Sequence, residues 1–421
     1  MQDGRLLPAL VMGLGHPRQT ALLHSLGAAG IPVHAVHTEA NSIRFSRRLR
    51  SFQTISRNPD EQLAYIERFG RAHGGFLLPT NDDYLALVSQ NRERLARYFT
   101  IPLPGWDVVW SLLNRTSAYA MAASVGIRVP RFWAPETETE MRQAVCALEL
   151  DKNDYILKTR SVLSVPADEK TVRQTKPAAR NEAEILSACI ELKRRTGNYP
   201  LIEQVVPGST DCSIGVSMVV GPRGDFILTY CVRRLRLARY RLESGYVHPY
   251  ELGSVLWCET CHDDEAVEAA RALITRSGYT GVVTVEFRRD ARDNSLFLTK
   301  IEQRTVRATS AVARHRDGYS DRALRGFYWR LSERCERLSR RHRLGMDSGL
   351  CRGHPAQAKP VGIAGRHPAL SCRARLRRGF AGSHAARHWR RAAGAARDQA
   401  ADALYAGLDD APKRAGGVNA I

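Results

Sequence analysis

The run Val282-Val283-Thr284-Val285-Glu286-Phe287 alternates so that Val283, Val285 and Phe287 point to one side of an extended chain and Glu286 to the other. A second apolar run, Leu296 to Ile301, is placed to form a hairpin with it. A period of two along that strand puts Lys300, Glu302 and Arg304 on one face. The expected product is a hairpin with one apolar side and one charged side.

Working outward, Cys212 to Val220 and Asp225 to Arg233 read as two more strands across the turn Gly221-Pro222-Arg223-Gly224, with a helix expected from Asp264 to Thr275. This strand-rich portion follows Pro207-Gly208. Before it, strand Asp154 to Lys158, a polar stretch from Ser161 to Ala179, helix Asn181 to Arg195 and strand Leu201 to Val206 form an α+β unit. A helix from about Leu112 to Ser124 leads in, stopped by Gly126 with Pro130 beyond. The N-terminal segment reads as βαβ: Leu6 to Met12 is apolar, Gly13-Leu14-Gly15-His16 turns, Thr20 to Leu26 is helical and Ile31 to Val36 is extended. Gly75 to Leu78 then leads into Pro79-Thr80-Asn81-Asp82-Asp83, where Asn81 or Asp82 caps a helix. Through Trp110 the pattern predicts a small doubly wound sheet.

Gly13 and Gly15 form a G-x-G, but Arg18 stands where a dinucleotide fingerprint has its third glycine, which argues against NAD. A glycine turn at the carboxyl end of a strand still brings backbone N–H groups, Asn81 and Asp82 to one edge. They serve there either a phosphate or substrate, or simply a turn and a helix cap.

The 421 residues, 43% of them hydrophobic, suffice for two or three packed units. The net charge of +20 is unevenly placed: Arg337 to Ile421 carries 17 Lys and Arg against 5 Asp and Glu. That tail lacks any apolar period and reads as a basic, low-order segment, disordered, so the charge is a weak sign of nucleic-acid binding. With no apolar run of about 18 residues and no secretory start, a cytoplasmic protein is expected. Nine cysteines without framework spacing suit reduced thiols. Cys258-Glu259-Thr260-Cys261-His262 spells a haem-attachment pattern, read as chance at the start of the following helix.

The order of elements over roughly residues 8 to 330 resembles the ATP-grasp superfamily, and within it the carboxylate-amine ligases related to carbamoyl-phosphate synthetase and biotin carboxylase. Asn114-Arg115 stands where the family has Asp-Lys ahead of a turn like Gly126-Ile127-Arg128-Val129-Pro130. Tyr155-Ile156-Leu157-Lys158 resembles the strand whose lysine holds phosphates. Thr159 to Lys170 lacks the glycines of the phosphate flap. Pro200 to Gly208 resembles the adenine-reading hinge, which would give Glu203, Gln204, Val205 and Val206 to the nucleotide and Asp211 to ribose or substrate. Arg233 and Arg234 fall where the family neutralises phosphate or substrate carboxylate.

Glu286 matches the first metal-binding carboxylate. The family's Glu-x-Asn-x-Arg is here Lys300, Glu302 and Arg304, so a lysine with no oxygen to offer replaces the bridging carboxylate. The resemblance implies one Mg²⁺ between Glu286 and Glu302, with Lys300 and Arg304 as catalytic cations beside the phosphates; a decayed site in which Lys300 pairs with Glu286 is the alternative. It also implies the whole organisation: an N-terminal doubly wound αβ domain (1–111), a two-subdomain ATP-grasp fold (112–206 and 207–336) and the tail (337–421). The expected activity uses ATP and Mg²⁺ to activate a small carboxylate as an acyl phosphate for an amine or similar nucleophile. The alternative is a protein that binds nucleotide without turnover.

Overall fold

The computed structural model describes residues 7–14, 17–161, 163, 176–177, 181–237 and 255–304. The chain opens with β1 (Ala9–Met12), α1 (Pro17–Ala28), β2 (Val33–His37), β3 (Leu49–Thr54), α2 (Pro59–His73), β4 (Phe76–Pro79), α3 (Asp82–Gln90) and α4 (Arg92–Leu95). The four strands form a parallel sheet in the order β3-β2-β1-β4. β1 is buried throughout, which its unbroken apolar run requires of a strand covered on both faces. The expected βαβ opening is present. Strand order reverses at β1, so the carboxyl ends of β1 and β4 flank a crevice. There the Thr80 hydroxyl donates to the Met12 carbonyl at 2.8 Å.

One glycine at the other end of this sheet is obligatory. Gly75 has φ +100°, and a Cβ on it would lie 2.0 Å from the Pro8 carbonyl oxygen, which already accepts the Phe76 N–H. Gly75→Ala is therefore expected to destabilise the fold by about 2 kcal/mol or more, read as a lower urea midpoint at unchanged slope. An unchanged midpoint would disprove the steric argument.

Next come α5 (Trp106–Leu113), α6 (Arg115–Ser124), β5 (Phe132–Trp133), α7 (Glu138–Cys146), β6 (Tyr155–Lys158), β7 (Lys176–Pro177), α8 (Glu182–Thr196) and β8 (Leu201–Gln204). The helix expected from Leu112 to Ser124 is in fact two. Asn114 breaks it with an extended ψ of 119°, and its side chain caps α6 by accepting the Ser117 N–H at 3.1 Å. The strands make an antiparallel sheet in the order β5-β8-β6-β7, with α7 and α8 packed on it through Met141, Val145, Ile185 and Leu192.

β9 (Ser213–Val220), β10 (Phe226–Leu237), β11 (Val255–Cys261), α9 (Asp264–Ser277), β12 (Gly281–Arg289) and β13 (Leu296–Glu302) complete the described chain. They form a second antiparallel sheet in the order β11-β10-β9-β12-β13. Val283, Val285 and Phe287 share a core with Ile214, Val216 and Met218 and with Ala270, Leu273 and Ile274 of α9. The side expected to be apolar is thus the packed one. Cys258 to Cys261 lies on β11 and not at a helix start, because Asp263, the cap of α9, fixes where that helix begins.

The architecture is a mixed α/β fold with one parallel and two antiparallel sheets. The tail from Arg337 and, of the glycine-free segment Thr159 to Lys170, residues 162 and 164–170 lie outside the described residues. No described helix is long and apolar enough to cross a membrane.

Candidate functional site

Strand register decides which side chains meet on the face of the five-stranded sheet that lies opposite α9. Glu286 pairs with Gly215 on β9 and with Lys300 on β13, and Thr284 pairs with Glu302. Partners across an antiparallel pair share a face, so Glu286, Lys300 and Glu302 do too. At Gly215 the face lacks a side chain, and a Cβ there would meet the Val232 and Thr284 methyl groups at 3.4 and 3.7 Å.

Lys300 reaches this face through a bulge. β13 pairs Lys300 with Glu286 and Leu298 with Phe287, leaving Thr299 as the extra residue. Its hydroxyl donates to the Glu286 carbonyl at 2.9 Å. Leu298 therefore points into the core while Lys300, two residues on, points away from it, the re-aiming that bulges produce beside functional sites.

The charged groups form two sets of ion pairs. Arg234 holds Glu286, Lys300 holds one oxygen of Glu302, and Arg304 holds the other at 2.5 Å. Arg304 also donates to Asp82 Oδ1 at 3.0 Å, which ties β13 to the first turn of α3. Three carboxylates meet three cations. Burial opposes the charge of Arg304, yet Asp82 and Glu302 together raise its pKa above the ordinary arginine value. Asp82, Arg115, Tyr119, Lys300 and Glu302 line a cavity of about 30 Å³, room for about two waters and far smaller than a nucleotide.

A second cluster sits on the four-stranded antiparallel sheet. Lys158 and Glu203 are both buried and form an ion pair. Tyr119 of α6 donates to the other oxygen of Glu203 at 2.7 Å and also contacts the Thr299 carbonyl at 3.2 Å. Burial lowers the Lys158 pKa, with Glu203 opposing, and burial with Glu203 pushes the Tyr119 phenol well up. Arg115 donates to the Thr159 carbonyl at 2.9 Å. The Thr159 hydroxyl beside them is buried without a hydrogen-bond partner among the described residues.

After β8, the Val205 N–H donates to the Asp154 carbonyl at 2.8 Å. Arg288 clamps the other side, donating to the Val206 carbonyl at 2.7 Å, to the Gly208 carbonyl and to Ser213 Oγ at 2.8 Å. The Val206 N–H donates to no backbone carbonyl among the described residues.

No family model matches the chain, and no curated protein sequence does either. Solved structures do. An N5-carboxyaminoimidazole ribonucleotide synthetase, seen as its ADP complex, aligns with a TM-score of 0.54 and 15% identity, covering 77% of this chain and 79% of that one. The L-amino acid ligase from Bacillus licheniformis gives 0.52 at 11% identity, covering 71% and 68%. Biotin carboxylase from Campylobacter jejuni, as a β-γ-ATP complex, gives 0.52 at 14% identity, covering 71% and 65%. The chain has the ATP-grasp fold.

On this ATP-grasp fold the residues expected from sequence separate into groups. Glu302, Lys300, Arg304 and Asp82 are joined by ion pairs, Glu286 on the same face pairs with Arg234, and Lys158, Glu203 and Arg115 gather around Tyr119. Lys300 pairs with Glu302 rather than with Glu286, its register partner. Arg233 is not brought to the charged face. It pairs at 2.5 Å with exposed Glu259, because adjacent strand residues point to opposite sides. Asn81 caps α3 by accepting the Tyr84 N–H at 2.9 Å, and exposed Asp211 accepts from the Ser209 hydroxyl. Gln204 Nε2 donates to Asn153 at 2.7 Å, away from the charged face.

Sequence reasoning missed Tyr119 and Arg288. Both had a signal: Tyr119 lies one helical turn after Arg115, and Arg288 lies two strand positions after Glu286, so each shares a face with a residue already singled out.

Proposed function

We propose that this chain is an ATP-dependent ligase that phosphorylates a carboxylate and passes the acyl group to an amine or similar nucleophile. The observation that carries the reading is the set of paired cations and carboxylates gathered on one face of the five-stranded sheet, with a buried lysine on the other antiparallel sheet, on an ATP-grasp fold. The orphaned Thr159 hydroxyl beside the Lys158 cluster fits a polar ligand group placed there. Hinge residues 203–206 would read the adenine, with the Val206 N–H as donor, and Lys158 and Arg115 would hold phosphates. For Lys158 this requires that phosphate oxygens replace Glu203 as its partner. The organisation into 1–111, 112–206 and 207–336 is part of the same reading.

The donor set suits one divalent ion and not two. Glu286 and Glu302 share the face, whereas Lys300, lying between them, offers no lone pair when charged. A single Mg²⁺ held by Glu286, Glu302 and phosphate oxygens would neutralise charge during transfer. Arg234 and Lys300, released from these carboxylates, would then face the phosphates. Arg304, held by Asp82 and Glu302, would serve the carboxylate substrate or the transferring phosphoryl group.

The test is ADP formation from ATP in the presence of Mg²⁺, screened against amino acids and small carboxylates with an amine acceptor. Carboxylate-dependent ADP release is expected; nucleotide binding with no release under any carboxylate would overturn the ligase reading. Glu286→Gln and Glu302→Gln should each weaken Mg²⁺-dependent nucleotide binding about tenfold or more, whereas Glu259→Gln, on the far side of the sheet, should not. Calorimetric titration with Mg²⁺ and ATP reads this, and equal affinity in all three variants would remove the metal from Glu286 and Glu302.

A further inference from the structure

Cys231 and Cys261 are direct register partners on β10 and β11, 30 residues apart in the chain. Their sulfurs lie 3.4 Å apart. Directly opposed residues of an antiparallel pair have Cα atoms about 4.5–5.5 Å apart, inside the range of about 4.4–6.8 Å that a disulfide spans. The bond therefore forms by a rotation of side chains without moving either strand.

The pair is also asymmetric. Cys231 is buried in the core under the sheet, while Cys261 is partly exposed near the end of an edge strand. The nearby Cys231 thiol first, and the Arg233 guanidinium after it, favour the thiolate of Cys261, whereas Cys231 is held far up by the same contact and by burial. Of the six described cysteines, none is in a disulfide.

We infer that Cys231 and Cys261 are a redox-active dithiol that closes to an intramolecular disulfide on exchange with a small-molecule disulfide. The Cys261 thiolate attacks one sulfur of the small disulfide, forming a mixed disulfide and expelling one thiolate. Cys231 then loses its proton to solvent and attacks Cys261 Sγ, which expels the second thiolate. The cysteine pair gives up two electrons and two protons, and the small disulfide becomes two thiols. The product staples edge strand β11 to β10, the strand that also carries Arg234 into the charged face. The inference stands on the thiol geometry alone and is independent of the ligase reading.

The full chain is incubated with glutathione disulfide, the remaining thiols are alkylated, and its peptides are mapped by mass spectrometry. A peptide pair joined through Cys231 and Cys261 is the expected main product, with the amides of β11 exchanging about tenfold more slowly than in the reduced chain. Cys231→Ser should leave glutathione attached to Cys261, and Cys261→Ser should leave Cys231 unmodified. Glutathione retained on Cys261 in the wild type, joining of Cys261 to any other cysteine in preference, or no reaction at either position would each overturn the inference. Repeating the reaction in urea checks that folding directs it: the same dominant product there would also count against it.

Discussion

Glu203→Gln is expected to cost about 3–5 kcal/mol of stability, because it leaves the Lys158 ammonium buried without its counter-charge. Tyr119 adds to the effect, since its hydroxyl loses a charged acceptor while still contacting the Thr299 carbonyl. The double variant Lys158→Met with Glu203→Gln removes both charges and should recover most of the loss, as apolar replacement of a buried pair commonly does. Urea unfolding of the three proteins reads the cycle. If Glu203→Gln alone costs under about 1 kcal/mol, the pair is solvated in solution and the buried cluster is not the structural element described above.

Lys300→Ala is expected to lower kcat about a hundredfold while the KM for ATP changes less than about threefold. The expectation rests on the proposed ligase reading and on one local feature, the bulge at Thr299 that turns Lys300 onto the charged face beside Glu302. A cation that interacts more strongly with the transferring phosphoryl group than with bound ATP shows its loss in rate. Steady-state kinetics with the carboxylate found by the ADP screen measures both constants. A loss confined to KM would make Lys300 a ground-state contact, and no change in either would leave it a structural partner of Glu302.

The elements read most accurately from sequence were those whose periodicity runs long, such as β12 with its inward Val283, Val285 and Phe287. Helix α2 went unread although Asn58, with Pro59 after it, marks its start. The bulge was legible as well: Leu296 and Leu298 turn inward, and the next core residue is Ile301, so the parity of the strand switches once. Counting by twos from Lys300 placed the right residues together but concealed why they lie opposite the leucines. The gathering of Lys158, Glu203 and Tyr119 could not be read. Nothing local in the chain indicates that a helix at residue 119 delivers a phenol to a strand at residue 203. Arg233 shows the opposite failure, since its resemblance to a family position ignored the side of the strand on which it falls.

The grip of Asp82 and Glu302 on Arg304 joins residues 222 positions apart, and this bears on how the protein is made. A ribosome adding about 5–20 residues per second needs roughly 10–45 s to pass from the first of these to the last. The parallel sheet and α3 are finished long before their counter-charge exists, and the ladder between β12 and β13 is still unmade. Non-local pairings of this kind form slowly and late. The charged face is thus assembled from both ends of the described chain, and a nascent protein arrested between β8 and β12 should have its parallel sheet folded yet lack Glu286, Lys300, Glu302 and Arg304.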